Sequence, residues 1–230
     1  GLICEKLLRR NLAEARRLVE LVQPLGIPTS YFENQIHMKS IKAALAQLTP
    51  VIETMGAPVL VRSGEEHAGP HNAWFWDPTQ QGGGVMADMG CHCLGAGWFA
   101  LTPPGEDVRF LQPVSVSADV SLLKWGQPKW KQLLLDKYGV DYGKTPADDF
   151  ATGMVTYRNP QTQQLVKSQF STSWMYDKQA MRIAMDAIGP GYAFELTTLN
   201  SSLEVFIGDA AAAGVADSET AMEKSQATRG

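Results

Sequence analysis

Gln81-Gly82-Gly83-Gly84-Val85-Met86-Ala87-Asp88-Met89-Gly90-Cys91-His92 decides how this chain is read. The glycines leave the backbone free to turn tightly. The apolar residues after them, continuing to Leu94, Trp98, Phe99 and Leu101, have the spacing of a helix that opens there. On that helix Asp88 and His92 are four residues apart, share a face and project into the space the glycines leave open. A carboxylate beside an imidazole fixes its tautomer and raises its basicity, and histidine ordinarily titrates nearest neutrality, so the two form a candidate acid/base pair. The plain alternative is an ordinary i,i+4 pair on a solvated face, and one spacing match does not choose between them. Gly82, Gly84 and Ala87 also satisfy the G-x-G-x-x-G/A dinucleotide fingerprint. The fingerprint needs a hydrophobic strand before it, whereas Trp74 to Gln81 is aromatic, then proline-broken and polar, so a phosphate loop is not expected here.

Composition narrows the function classes. The 230 residues carry a net charge of -4 and no long run of Lys or Arg, which argues against a nucleic-acid surface or a basic membrane patch. Small-molecule chemistry is the default. No uninterrupted apolar stretch approaches the roughly 18 residues of a membrane span, and no basic-then-apolar segment opens the chain, so a cytoplasmic location is expected. Cys4, Cys91 and Cys93 are an odd number, and two of them stand only two residues apart, so a disulfide framework is not indicated. Cys91, His92 and Cys93 could join His67 or His71 on zinc, but consecutive helical residues point about 100° apart and cannot converge on one ion, so no metal is expected.

Gly1 to Cys4 is a short apolar run and Glu5-Lys6 a charged break. Asn11 caps a predicted helix over 12–25, Gly26-Ile27-Pro28 stops it, and 28–34 is extended. This is one β-α-β unit of a parallel sheet, and such sheets are normally covered on both faces, so a missing larger half is expected. The spacing further predicts helices over 39–48 and 128–138, and strands over 58–62, 150–158, 165–174, 181–188, 192–198 and 203–207. A half-buried strand is predicted over 114–123. Strands following helices in this way indicate an α+β fold, a mostly antiparallel open sheet with helices on one face.

Two further places carry chemistry. Over 67–77, His71, Trp74 and Trp76 are suited to a polyol, since flat aromatic faces stack on sugar C–H faces while His and Asn bond hydroxyls. In an extended segment Trp74 and Trp76 share one side and Phe75 takes the other; the alternative is that these rings anchor the core. Lys6 ends an apolar strand, and ligands of open α/β sheets bind at the C-terminal ends of strands; the alternative is a surface ion pair.

Together these residues resemble the glucose-fructose oxidoreductase, inositol dehydrogenase and rhizopine-catabolism (Gfo/Idh/MocA) family. Glu5-Lys6 matches the start of its Glu-Lys-Pro motif, and Gly82 to His92 matches its Gly-Gly-Gly-x-x-x-Asp-x-Gly-x-His motif throughout. The phrase from Ser63 to Trp76, and Glu223-Lys224 near the end, also look familial. The resemblance implies that residues 1–34 are the remnant of a Rossmann dinucleotide-binding domain and 35–230 an α+β substrate and oligomerisation domain, truncated at the C-terminus. It implies NAD or NADP as cofactor, a sugar, cyclitol or glycoside oxidised at a secondary hydroxyl, and a homo-oligomer formed through the open sheet. Catalysis would fall to Lys6, Asp88 and His92, cofactor contact to Glu5 and Lys6, and substrate contact to His71, Trp74 and Trp76. The chain departs from the family in two respects: Leu7 stands where the motif has proline, and no strand-preceded glycine fingerprint occurs in the 230 residues. A fragment that binds dinucleotide poorly is therefore expected. A non-catalytic carbohydrate-binding or scaffold protein of the same fold is the alternative, and transient oxidation during glycoside cleavage is not separated from simple dehydrogenation.

Overall fold

A computed structural model of the protein describes residues 1–107, 109–177, 181–196 and 204–207. The opening unit is β1 (Leu2–Glu5), α1 (Leu12–Val22) and β2 (Thr29–Phe32), with β1 and β2 parallel. Asn11 caps α1 as expected, its side chain accepting from Glu14 N at 2.9 Å, and Gly26 closes the segment in the left-handed region. α1 buries none of its residues and Ile3 is 70 % exposed, so this unit's apolar surface stands uncovered.

The next helix, α2 (Lys39–Met55), continues through Pro50 past its predicted end at Leu48. A proline inside a helix costs about 3 kcal/mol, but Ala44, Leu48, Val51 and Ile52 are buried beneath it, and each large apolar side chain returns about 1.5–3 kcal/mol. β3 (Leu60–Glu66), a 3₁₀ turn at Ala73–Trp76, α3 (Pro78–Gln81) and a π-helical turn at Met86–Gly90 lead into α4 (Cys91–Leu101). Then follow β4 (Gln112–Ser121), α5 (Pro128–Tyr138), β5 (Phe150–Arg158), β6 (Leu165–Ser173), β7 (Arg182–Gly189), β8 (Tyr192–Leu196) and β9 (Glu204–Ile207). Thr197, Thr198 and Leu203, which the predicted strands include, lie outside the described residues, as do Glu223 and Lys224.

The seven strands of the large sheet run in the order β4-β5-β6-β3-β7-β8-β9, and β3–β6 is its parallel pair. The fold is thus α+β, a mostly antiparallel sheet preceded by a small parallel one. On one face Val61, Val155, Tyr157, Val166, Met185 and Phe194 pack under α2 and α4. Toward the other end of that face, Phe170 and Ala151 pack with Trp76, Trp125, Tyr142 and Trp174. The opposite face is polar, carrying Arg62 and Asp186 at 3.7 Å and Arg182 and Glu66 at 2.7 Å. β4 departs from expectation: it is the sheet's edge and is exposed along nearly its whole length, Val116 by 68 %, rather than half-buried. Among the described residues no helix is long and apolar enough to cross a membrane.

Candidate active site

The glycine run is a seam between segments. A Cβ on Gly84 would lie 2.1 Å from the Asp148 carbonyl oxygen, and one on Gly82, where φ is +100°, 2.6 Å from the Arg10 carbonyl oxygen. Glycine alone permits that approach. Asp148 then receives two N–H groups of the emerging turn, Val85 N on its carbonyl at 2.9 Å and Met86 N on Oδ2 at 2.8 Å. The backbone that could have cradled a phosphate is occupied by protein. The π-helical turn that follows buries Asp88, Met89 and Gly90 before α4 begins.

Asp88 and His92 both face a cavity of about 330 Å³, where Lys6, Glu65, His67 and Ile183 join them. Lys6 Nζ donates to the Asp88 carbonyl and lies 3.2 Å from Asp88 Oδ1. Trp174 Nε1 donates to Asp88 Oδ2 at 3.1 Å, and His67 Nε2 lies 3.5 Å from the same oxygen. Burial opposes ionisation of this carboxyl, but the His67 contact and the Lys6 charge outweigh it and hold its pKa below the usual carboxylate range. The neighbouring Cys91 thiol is pushed up by burial to about 12 and stays protonated at neutral pH.

The expected Asp88–His92 pair does not form. His92 Nδ1 instead lies 2.7 and 2.9 Å from the two carboxylate oxygens of Glu33, just beyond β2. A carboxylate there fixes Nδ1 as the N–H, an assignment made from the hydrogen-bond network, and leaves Nε2 without a protein partner among the described residues. Glu33 is 59 residues from His92 and belongs to the other sheet system, so helical spacing could not reveal it. Its one sequence signal is that it directly follows a strand of the parallel unit, as Lys6 does. Glu65 was also missed; its Oε2 accepts from Gln35 Nε2 at 2.5 Å.

The aromatic stretch departs from expectation. Ala73–Trp76 is a 3₁₀ turn and not extended, so its rings fan out instead of alternating. Trp74 stacks on Phe75 at 3.8 Å between centroids and lines a second cavity of about 430 Å³, which Lys6, Arg10 and Asp88 also line. Trp76 is a core residue, 1 % exposed and packed on Trp125, Tyr142 and Trp174, one step behind the indole that holds Asp88. His71 and Glu5 are exposed and line neither cavity. The structure therefore brings together Lys6, Asp88 and His92, sets Trp74 beside them, and places His71, Trp76 and Glu5 elsewhere.

Residues 52–189 match the family model described as the GFO/IDH/MocA C-terminal domain. Levoglucosan dehydrogenase in complex with NADH has a similar structure, with a TM-score of 0.65 at 16% identity over 94% of this chain and 51% of that one. GenD2 from gentamicin A biosynthesis, in complex with NAD, gives 0.61 at 19% identity over 85% of this chain and 47% of that one. An oxidoreductase from Agrobacterium radiobacter, in complex with NAD+, L-tartaric acid and magnesium, gives 0.60 at 18% identity over 88% and 50%. At these identities the likeness shows the fold. The chain spans about half the length of the structures it matches. No curated protein sequence matches it.

Proposed function

Because the chain belongs to the GFO/IDH/MocA family, we propose that it is the substrate-side part of a nicotinamide-dependent oxidoreductase acting on a secondary hydroxyl of a sugar, cyclitol or glycoside. The observation that carries this reading is the convergence of Lys6 from one sheet system with Asp88 and His92 from the other on a single cavity. Oxidising an alcohol needs a base for the O–H proton beside an acceptor for the C–H hydride. His92 Nε2 takes the hydroxyl proton while Glu33 holds Nδ1–H and stabilises the imidazolium that forms. The Lys6 ammonium, held by Asp88, would stabilise the negative charge that develops on the substrate oxygen.

Bound NAD or NADP would supply the hydride acceptor. Lys6 at the C-terminal end of β1 suits contact with the nicotinamide end. The glycines at 82–84 do not suit the pyrophosphate, since Arg10 and Asp148 fill that space. In this reading residues 1–34 belong with the nucleotide-binding domain and 35–230 form the substrate domain, Trp74 offers a stacking face next to the cavity, and the open sheet joins subunits.

The test is made in the whole protein, with NAD or NADP and a panel of sugars and cyclitols. His92→Ala lowers turnover about 100-fold or more with an unchanged circular dichroism spectrum. Turnover within a few-fold of wild type removes His92 from the mechanism.

A further inference from the structure

Glu65 takes no part in the proton transfer, yet it is the most deeply buried ionisable group on the cavity wall, 3 % exposed. It continues the inward-facing run Val61, Ser63, Glu65 of β3, at the point where the helix cover ends and the cavity opens. Its backbone is clamped from both sides: Thr172 of β6 and Ile183 of β7 are its register partners, and Thr172 Oγ1 donates to the Glu65 carbonyl at 2.8 Å. The backbone position from which the side chain enters the cavity is thus fixed.

Its two oxygens differ. Oε2 accepts from Gln35 Nε2, whereas Oε1 takes no protein hydrogen bond among the described residues and is not sealed from the cavity. Nor does Glu65 form an ion pair among them; Lys6, the lysine of this cavity, is already held by Asp88. Burial accordingly pushes the Glu65 carboxyl upward, with His92 and Lys6 pulling the other way. A buried carboxylate without a cation does not help the fold, and Asp88 and Glu33 close by add charge of the same sign. An anionic ligand would meet this excess of carboxylates. A ligand hydroxyl would supply the donor that Oε1 lacks.

We propose that Glu65 is a specificity-determining residue of this cavity: its free Oε1 accepts a hydrogen bond from a second hydroxyl of an uncharged polyol, and its charge turns away sugar acids and sugar phosphates. This rests on reading the cavity as a polyol site. The experiment measures binding to the protein by isothermal titration, with myo-inositol and 1,6-anhydroglucose as uncharged probes and D-glucuronate and glucose 6-phosphate as anionic ones. Wild type favours the uncharged probes at least about tenfold, the ratio one charged hydrogen bond supplies. Glu65→Gln keeps the shape and removes the charge; it binds the uncharged probes about tenfold more weakly and closes most of the gap to the anionic ones. Glu65→Asp keeps the charge on a shorter arm, so it weakens polyol binding while still rejecting the anions. If Glu65→Gln keeps the wild-type preference, Glu65 does not set specificity, although the cavity remains a polyol site. If wild type prefers the anions, or binds none of the four probes, the polyol reading falls and the Glu65 proposal with it.

Discussion

Replacing Gly84 by alanine tests whether the glycine run serves packing or a ligand. The added methyl would stand 2.1 Å from the Asp148 carbonyl oxygen and 2.6 Å from its Cγ, so the Asp148 segment must retreat by more than about 1 Å. That retreat breaks Val85 N to the Asp148 carbonyl, a neutral bond contributing about 1 kcal/mol, and Met86 N to Asp148 Oδ2, a charged one contributing about 2 kcal/mol. Residual crowding adds about 1–3 kcal/mol. The expected loss is about 4–6 kcal/mol, a large share of the 5–15 kcal/mol typical of a folded domain. It is measured by urea unfolding followed by tryptophan fluorescence, since Trp76, Trp125 and Trp174 lie in the core cluster that also holds Val85. Gly83→Ala is the control: its methyl would meet Ala87 alone, the side chain at 3.0 Å and the backbone nitrogen at an ordinary 3.9 Å, and should cost about 1 kcal/mol or less. If Gly84→Ala unfolds within about 1 kcal/mol of wild type, the seam is not what requires glycine, and a ligand-binding loop becomes the better account.

Glu33→Gln in the whole protein should lower kcat about 10- to 100-fold with little change in KM, because it removes the carboxylate that orients His92 without touching the substrate; an unchanged kcat strikes Glu33 from the site. Glu65 links stability to pH. Its folded pKa is raised, so its favourable contribution is fully present below the unfolded value of about 4.3 and is lost as pH rises through the folded one. Glu65→Gln does not titrate, so its stability relative to wild type should improve as pH rises above about 4.3 and then level off; a difference that stays constant from pH 4 to pH 8 in urea titrations contradicts this.

Features governed by neighbours in sequence were legible from residues alone. Asn11, Gly26 and the spacing of α1 act within one or two turns, and the alternation of β5 to β7 follows from one buried face. That Asp88 and His92 face one cavity follows from their places on neighbouring turns, although the carboxylate that touches the imidazole is Glu33. The Gfo/Idh/MocA resemblance, rather than spacing, linked Lys6 to His92. What escaped depends on distant contacts. Trp76 suits a ligand or a core by local sequence alone, and Trp125, Tyr142 and Trp174, distant in the chain, make it core. Pro50 stops a helix by local rules, but the apolar burial of α2 overrides them. β4 alternates like a half-buried strand but gained no covering layer among the described residues, and Glu65 became a cavity residue only through the register of β3 between β6 and β7.

The position of β3 also sets an order of events in time. This strand lies in the middle of the sheet, yet the Thr172 hydroxyl that clamps Glu65 belongs to a residue 107 positions later. At synthesis rates of about 5–20 residues per second, β3 waits on the order of ten seconds for β6 and β7 to emerge. Meanwhile β5 and β6 can pair as a local hairpin, while β3 presents two bare edges. Arg62, Glu65 and Glu66, three charges in a strand of seven residues, discourage it from pairing with the wrong partner during that delay. A carboxylate at the end of a core-facing run therefore has a use on the ribosome before there is any cavity for it to line.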